Sequence, residues 1–318
     1  MTLRYLELDN ISHLNQIYNY PKNGINGSKL WRESYYFNMT DPRSGYSLIS
    51  TIGILPNRKL ITGFFLIIKN KRIIKLKPLI KRKKPVFNDY LFEVNGLEYI
   101  IEGPYWIIKY CSKELKFEIR FEPINRIYPY ITSKSDSILN SVGSQHYEQF
   151  GEYSGEFVFG NDRVKIGPCL GHRDHSWGIR DWSVMDKYRL FCCAFSKEFG
   201  FNLWEGWINN KKFLKGYVFD GSNNTKIVKS NVRTRFESNC KKPKDVNLFF
   251  LDELGRKYDI KSSTQFSIPV PPRNSILFEN LAKMKYKNHR GNGLSEYLFH
   301  EPNMVHRLWI FLKLLTYL

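Results

Sequence analysis

Between Trp31 and Tyr297 the chain is cut roughly every 8–12 residues by turn-forming residues, with no long helical run between the cuts. Apolar and aromatic runs over 31–38, 46–54, 60–69 and 72–79 are followed by shorter ones over 87–94, 99–101, 105–110 and 116–123. Asn70-Lys71, Asn209-Asn210 and Asp220-Gly221 read as tight hairpin turns. Parallel pairing needs crossovers of a dozen or more residues, so strands joined this tightly must pair antiparallel. The aromatic share of 16% fits a pleated surface with bulky side chains to bury. The spacing predicts an all-β chain.

At 318 residues the chain reaches the size where a single core stops growing, and a polar stretch over 132–137 offers a joint. Two units are expected, residues 1–140 and residues 141–318. In the second, runs over 153–159, 163–168, 188–195, 202–208, 212–219, 227–236, 245–251, 257–262 and 277–286 read as strands. A short helix is expected near 11–18 and another over 304–318, where His306, Arg307, Lys313 and Thr316 share one half of the wheel.

Composition excludes several classes. No run of eighteen or more apolar residues is present, so no spanning helix is expected, and the polar N-terminus does not read as a signal peptide; a cytoplasmic location follows. Five cysteines (Cys111, Cys169, Cys192, Cys193, Cys240) with no Cys-x-x-Cys pair read as free thiols. The net charge of +19 is uneven, because the run from Lys69 to Lys84 holds nine basic and no acidic residues. Its alternation with Ile74, Leu76 and Leu79 suits a solvated strand face or a peripheral contact with an anionic membrane, together with the C-terminal segment, better than it suits nucleic acid. Neither a phosphate loop nor a Gly-x-Ser-x-Gly elbow is present.

The stretch from Gly171 to Trp182 (GHRDHSWGIRDW) carries the chemistry. If it runs extended, Arg173, His175, Trp177 and Asp181 share one face, and His172, Asp174, Ser176, Arg180 and Trp182 share the other, with parity secure from Arg173 to Trp177. His172 and His175 then face opposite ways, so no metal site is expected from them. His175 beside Trp177 suits acid–base work near neutral pH, or a structural ring bridging strands. Asp174 or Asp181 can protonate an alkene where burial raises its pKa; paired with Arg173 or Arg180, each is a satisfied ion pair instead.

Several strings together resemble one family: Trp31 to Asn38 with Asp41-Pro42, Thr51-Ile52-Gly53 with Pro56-Asn57, His146-Tyr147-Glu148-Gln149, Gly171 to Trp182, and Arg290 to Tyr297. They are similar to the AttH-like and hydroxyneurosporene synthase (carotenoid hydratase) proteins. The resemblance implies two lipocalin-like β-barrels in tandem, and relatives that hydrate or cyclise isoprenoid double bonds. It points to His175 and Trp177 as the family's His-x-Trp pair, with Trp204 and Glu205 the nearest downstream aromatic and carboxylate, though not at the family's Tyr-x-Asp spacing. Glu148 and Glu296, in the other strings of the second unit, are further carboxylate candidates.

The expected function is that of a hydratase, cyclase or isomerase without cofactor or metal. It acts on an apolar isoprenoid, steroid or polyene in a barrel pocket. The catalytic candidates are His175, Asp174, Asp181, Glu148 and Glu296, and the substrate-binding candidates are Trp177, Trp182, Arg173, Arg180, Trp204 and Glu205. The alternative is a non-enzymatic carrier of a lipophilic small molecule.

Overall fold

The computed structural model describes residues 28–82, 91–131, 145–237, 242–270 and 274–301, with positions 138, 139, 142, 143, 303–305, 308, 309 and 312. The expected helix near 11–18, the joint over 132–137, Cys240, and Lys83 and Lys84 of the basic run lie outside the described residues. The chain forms two compact units, each an antiparallel β-barrel, one closed and one nearly closed.

The first unit begins with a four-strand meander: β1 (Trp31–Thr40), β2 (Tyr46–Leu55), β3 (Leu60–Lys69) and β4 (Arg72–Lys81). A second meander follows: β5 (Leu91–Val94), β6 (Leu97–Glu102), β7 (Tyr105–Cys111) and β8 (Leu115–Pro123), then the short β9 (Tyr128–Ile131). The long strands β10 (Gln145–Phe159) and β11 (Asp162–Ile179) lie between the meanders, giving the order β4-β3-β2-β1-β11-β10-β8-β7-β6-β5 with β9 on β10. The two ends meet through side chains: Lys81 of β4 pairs with Glu93 of β5, and Asn95 Nδ2 donates to Ile80 O at 2.9 Å.

Alternation builds this core. On β8, Leu115, Phe117, Ile119 and Phe121 are buried while Lys116, Glu118, Arg120 and Glu122 are exposed. The inward residues join Phe37, Ile67, Val94, Tyr99 and Ile108 in one cluster, each large apolar side chain contributing about 1.5–3 kcal/mol on burial. Two of the three expected turns follow their sequence: Asn70 and Lys71 take φ of 48° and 69°, and Asn209 and Asn210 take 50° and 62°, as two-residue hairpin turns require, whereas Asp220-Gly221 opens a longer connection, residues 220–223, between Phe219 and Asn224.

The second unit is a closed barrel of β12 (Met185–Ser196), β13 (Phe199–Ile208), β14 (Lys211–Phe219), β15 (Asn224–Phe236), β16 (Pro243–Asp252), β17 (Lys257–Val270), β18 (Ser275–Tyr286) and β19 (His289–His300). Strand β19, absent from the strands expected from sequence, closes it by pairing with both β18 and β12. Beyond it, Met304, Val305, Leu308, Trp309 and Leu312 are helical and exposed; the rest of the expected C-terminal helix lies outside the described residues.

The expected division at residue 140 moves to Arg180/Asp181. Strands β10 and β11 follow the polar joint in sequence, but β11 pairs with β1 along Trp31–Met39, and β10 pairs with β8 along Gly151–Pro123 to Phe159–Leu115. These long-range ladders decide membership, and a polar stretch in the sequence does not reveal them.

Candidate functional site

From Gly171 to Trp177 strand β11 is hydrogen-bonded on both sides, to β1 and to β10, so each residue of that stretch has two cross-strand neighbours. Tyr35 and Tyr147 flank His175, Phe37 and Gln149 flank Arg173, and Tyr36 and Glu148 flank Asp174. Alternation then sorts the motif onto two faces, as the parity from Arg173 to Trp177 predicts. Gly171 is required by packing: a Cβ there would lie 2.2 Å from Asn38 O.

The inner face carries Glu33, Tyr35, Tyr147, Arg173, His175 and Trp177, all at most 3% exposed. Tyr147 Oη donates to His175 Nδ1 at 2.5 Å, leaving Nε2–H to donate to Glu33 Oε1 at 2.9 Å. Tyr35 Oη also donates to Glu33 Oε1, at 2.7 Å, and its ring stacks on His175 at 4.0 Å. Trp177 lies 4.8 Å from the imidazole. Arg173 donates from Nε to Gln149 Oε1 at 2.8 Å, and its guanidinium sits 5.3–5.7 Å from the rings of Trp106, Tyr147 and Phe121. It turns away from Asp174, so that expected ion pair does not form.

The outer face carries a second cluster. Glu148 takes His146 Nε2 on Oε1 at 2.8 Å and His172 Nε2 on Oε2, while Asn38 Nδ2 donates to His172 Nδ1 at 2.7 Å. Arg180 Nη1 donates to Ser34 Oγ and Ser176 Oγ, each at 2.7 Å. Asp174 lies deep in the protein yet remains partly accessible. Burial pushes its carboxyl above the ordinary 3.8; Glu148 adds to the rise, and His146, His172 and Arg180 oppose it without cancelling it. Burial acts on Glu148 in the same sense, but His172 and His146 outweigh it and hold that carboxyl down, at about 2. Arg32 is lowered to about 10 by burial and by Arg180, with Asp174 opposing. Its guanidinium lies over Gly53, where a Cβ would meet Nη2 at 2.6 Å.

The remaining sequence candidates lie in the second unit. Asp181 leaves the face predicted for it because β11 ends at Ile179 after Gly178 takes φ +124°; it caps the short turn Trp182–Val184, accepting from Ser183 N at 3.0 Å. Trp182 packs on Tyr188 at 5.9 Å. Trp204 and Glu205 are neighbours on β13 and so face opposite ways: Trp204 packs on Phe213 at 4.8 Å, and Glu205 is held below its ordinary pKa, Arg189, Ser230 and Lys212 outweighing burial. Glu296 accepts from Tyr188 Oη at 2.9 Å. Glu148, expected in the second unit, belongs to the first.

Sequence reasoning passed over Glu33, the carboxylate at His175, and also His146 and Tyr147. The signal for Glu33 is its parity: it shares a strand face with Trp31, Tyr35 and Phe37, where an unpartnered carboxylate would be costly. His146, Glu148 and Asp174 present ligand atoms within 4.8 Å of one another and could hold a small cation, a trio that the His172–His175 spacing does not suggest. A surface depression of about 480 Å³ lined by Lys109, Cys111, Glu118 and Arg163 contains none of the expected site residues.

No curated protein matches the sequence. Solved structures do match in fold. A protein described as AttH from Nitrosomonas europaea is 9% identical, with a TM-score of 0.58 over 84% of this chain and 91% of that one. Kievitone hydratase from Nectria haematococca is 10% identical, with 0.60 over 85% and 89%. CghA is 8% identical, with 0.62 over 87% and 90%. The tandem lipocalin-like barrels of the AttH-like proteins are thus the fold of this chain. By a match that spans residues 23–301, the chain belongs to the family described as Domain of unknown function (DUF7064).

Proposed function

We propose that the chain is a hydratase or cyclase of an apolar alkene, an isoprenoid, steroid or polyene, with Asp174 as the proton donor. One observation carries this reading: Asp174 and Glu148 face each other across β10 and β11, and their surroundings drive their pKa values apart. Two carboxyls so separated are the pattern of an acid beside a permanently ionised partner. Asp174 is also partly accessible, whereas His175 and Glu33 are 0% exposed.

In this mechanism the Asp174 O–H bond breaks as its proton adds to one alkene carbon, and the π pair becomes the new C–H bond. The neighbouring carbon becomes cationic, within range of the Tyr36 ring, which lies across from Asp174 in register. Arg180 and Arg32 stabilise the carboxylate left behind. Water, or a second double bond of the same substrate, supplies the electron pair that quenches the cation. The proton then released returns to Asp174. A positioned acid of this kind contributes about 100- to 10,000-fold in rate. Kievitone hydratase shares the fold and is by its name a hydratase.

The inner chain Tyr147–His175–Glu33 favours a second reading, with His175 as the acid–base group. Incubating the purified protein with a panel of isoprenoid and steroid alkenes in ¹⁸O water, with product mass read out, separates the readings. Asp174→Asn abolishes product in the first and leaves it in the second. Binding of the panel with no product from the wild type supports the carrier.

A further inference from the structure

Strand β4 stands at the end of the first unit's strand order and, among the described residues, pairs with β3 alone. It meets β5 at its C-terminal end, through Lys81 and the carbonyl of Ile80. Past the bulge at Ile67/Ile68, Lys75 stands opposite Ile67, Lys77 opposite Phe65 and Lys81 opposite Ile61. These lysines therefore share the face of the buried Leu79, while Leu76, Pro78 and Ile80 share the other. Lys77, Pro78 and Ile80 are nevertheless all exposed, so the strand projects far enough for both of its faces to reach solvent.

The strand and the turns that flank it carry more cations than their neighbours neutralise. Lys75 lies 3.8 Å from Glu114 and Lys81 pairs with Glu93. Among the described residues, Lys69, Lys71, Arg72, Lys77 and Arg82 have no carboxylate within salt-bridge distance, and all of them are exposed. One sign of charge gathered in this way attracts a polyanion. Set among these cations are Ile74, 42% exposed, and Ile80, 59% exposed. Lysines, a bulge and a proline also keep an edge strand from pairing with another chain, and that role accounts for the cations. It does not account for the two isoleucines, which add nothing to a blunted edge and which a nucleic-acid phosphate backbone, bound through charge, does not engage. An anionic bilayer takes both: its headgroups meet the cations, whose stems lie along apolar surface, and its acyl boundary takes the branched side chains.

We infer that the free edge of β4 docks the protein on an anionic phospholipid surface, with Lys71, Arg72 and Lys77 on the headgroup phosphates and Ile74 and Ile80 at the acyl boundary. The edge leads, because along it the side chains of both strand faces reach one plane. Isoprenoids and steroids partition into bilayers, so docking brings the chain to the substrate class proposed above. The docking itself does not rest on that substrate and is measured without turnover.

Co-sedimentation of the full chain with vesicles of phosphatidylcholine, alone or mixed with phosphatidylserine, tests the assignment. Each cation near an anionic surface strengthens partition about fivefold, so the wild type is expected to prefer the mixed vesicles by about a hundredfold, less as salt rises. Reversing Lys71→Glu, Arg72→Glu and Lys77→Glu together should remove that preference. The same charge change at Lys229→Glu, Lys261→Glu and Lys283→Glu, exposed positions of the second barrel, should keep most of it. Ile74→Ser with Ile80→Ser should lower partition several-fold and leave its salt dependence in place. Circular dichroism shows that each variant keeps its strands. A wild-type chain that ignores phosphatidylserine overturns the proposal. So does an equal loss in the second-barrel variant, which assigns the attraction to net charge alone. Binding indifferent to the isoleucine change overturns it as well, since an edge that holds RNA or an acidic protein through charge behaves that way.

Discussion

Glu148 and Asp174 stand opposite each other in neighbouring strands, and the same burial acts on both, yet one is held as an anion and the other is pushed towards its neutral form. The difference lies in partners. Two imidazoles converge on Glu148, whereas the charges that favour ionised Asp174 fall short of what burial takes away.

Asp174→Asn should therefore abolish turnover and raise stability. The amide keeps the shape and removes the ionisation that burial opposes; relieving a strained active-site group commonly gains about 0.5–2 kcal/mol. Thermal unfolding of the variant at neutral pH checks the gain, and a lowered midpoint would count against a buried acid at this position.

Stability should respond to pH in opposite senses at the two groups. Glu148 has its folded pKa lowered, so its stabilising contribution is present above about 4.5 and is lost as pH falls towards about 2. Asp174 has its folded pKa raised, so the native state binds more protons than the unfolded one above 3.8 and stability declines as pH rises through that window. Urea midpoints followed across this range should show a weaker acid limb in Glu148→Gln and a weaker decline above 3.8 in Asp174→Asn.

The Glu33–His175–Tyr147 chain is sealed inside the first barrel, so breaking it should cost folding energy. Glu33→Ala or His175→Ala removes one partner of a buried pair, a change that typically destabilises by about 3–5 kcal/mol. Chemical denaturation checks this. Near-neutral values would mean that these groups are held for chemistry rather than for stability.

Gly53→Ala should disturb the outer cluster from a distance. Its methyl group meets the guanidinium of Arg32, which is displaced from its place near Asp174. A cost of about 1–3 kcal/mol is expected for such overpacking, with reduced turnover. Wild-type activity in this variant would show that Arg32 does not support the acid.

Local features of the fold were legible in the sequence where local chemistry decides them. The hairpins at Asn70-Lys71 and Asn209-Asn210, and the opposite facing of His175 and Asp174, follow from turn residues and period-2 alternation. Partnerships across the sheet were not. Glu33 finds His175 through the β1–β11 ladder, and β19 closes the second barrel through β12; neither pairing has a local signature. For Asp181 the alternation was secure only to Trp177, and Gly178, whose lack of a side chain permits a break there, is where the backbone turns out of the strand.

The late arrival of β10 and β11 sets an order on biosynthesis. Glu33 and His175 are separated by 142 residues, and at about 5–20 residues per second the ribosome needs roughly 7 to 30 s to bridge them. During that interval the two meanders have emerged without the strands that join them, and the edges of β1 and β8 are open to foreign pairing. The first barrel is thus a post-waiting structure, completed only once the segment next to the second unit has been made, and a nascent chain stalled near residue 140 should engage chaperones as an unfinished sheet.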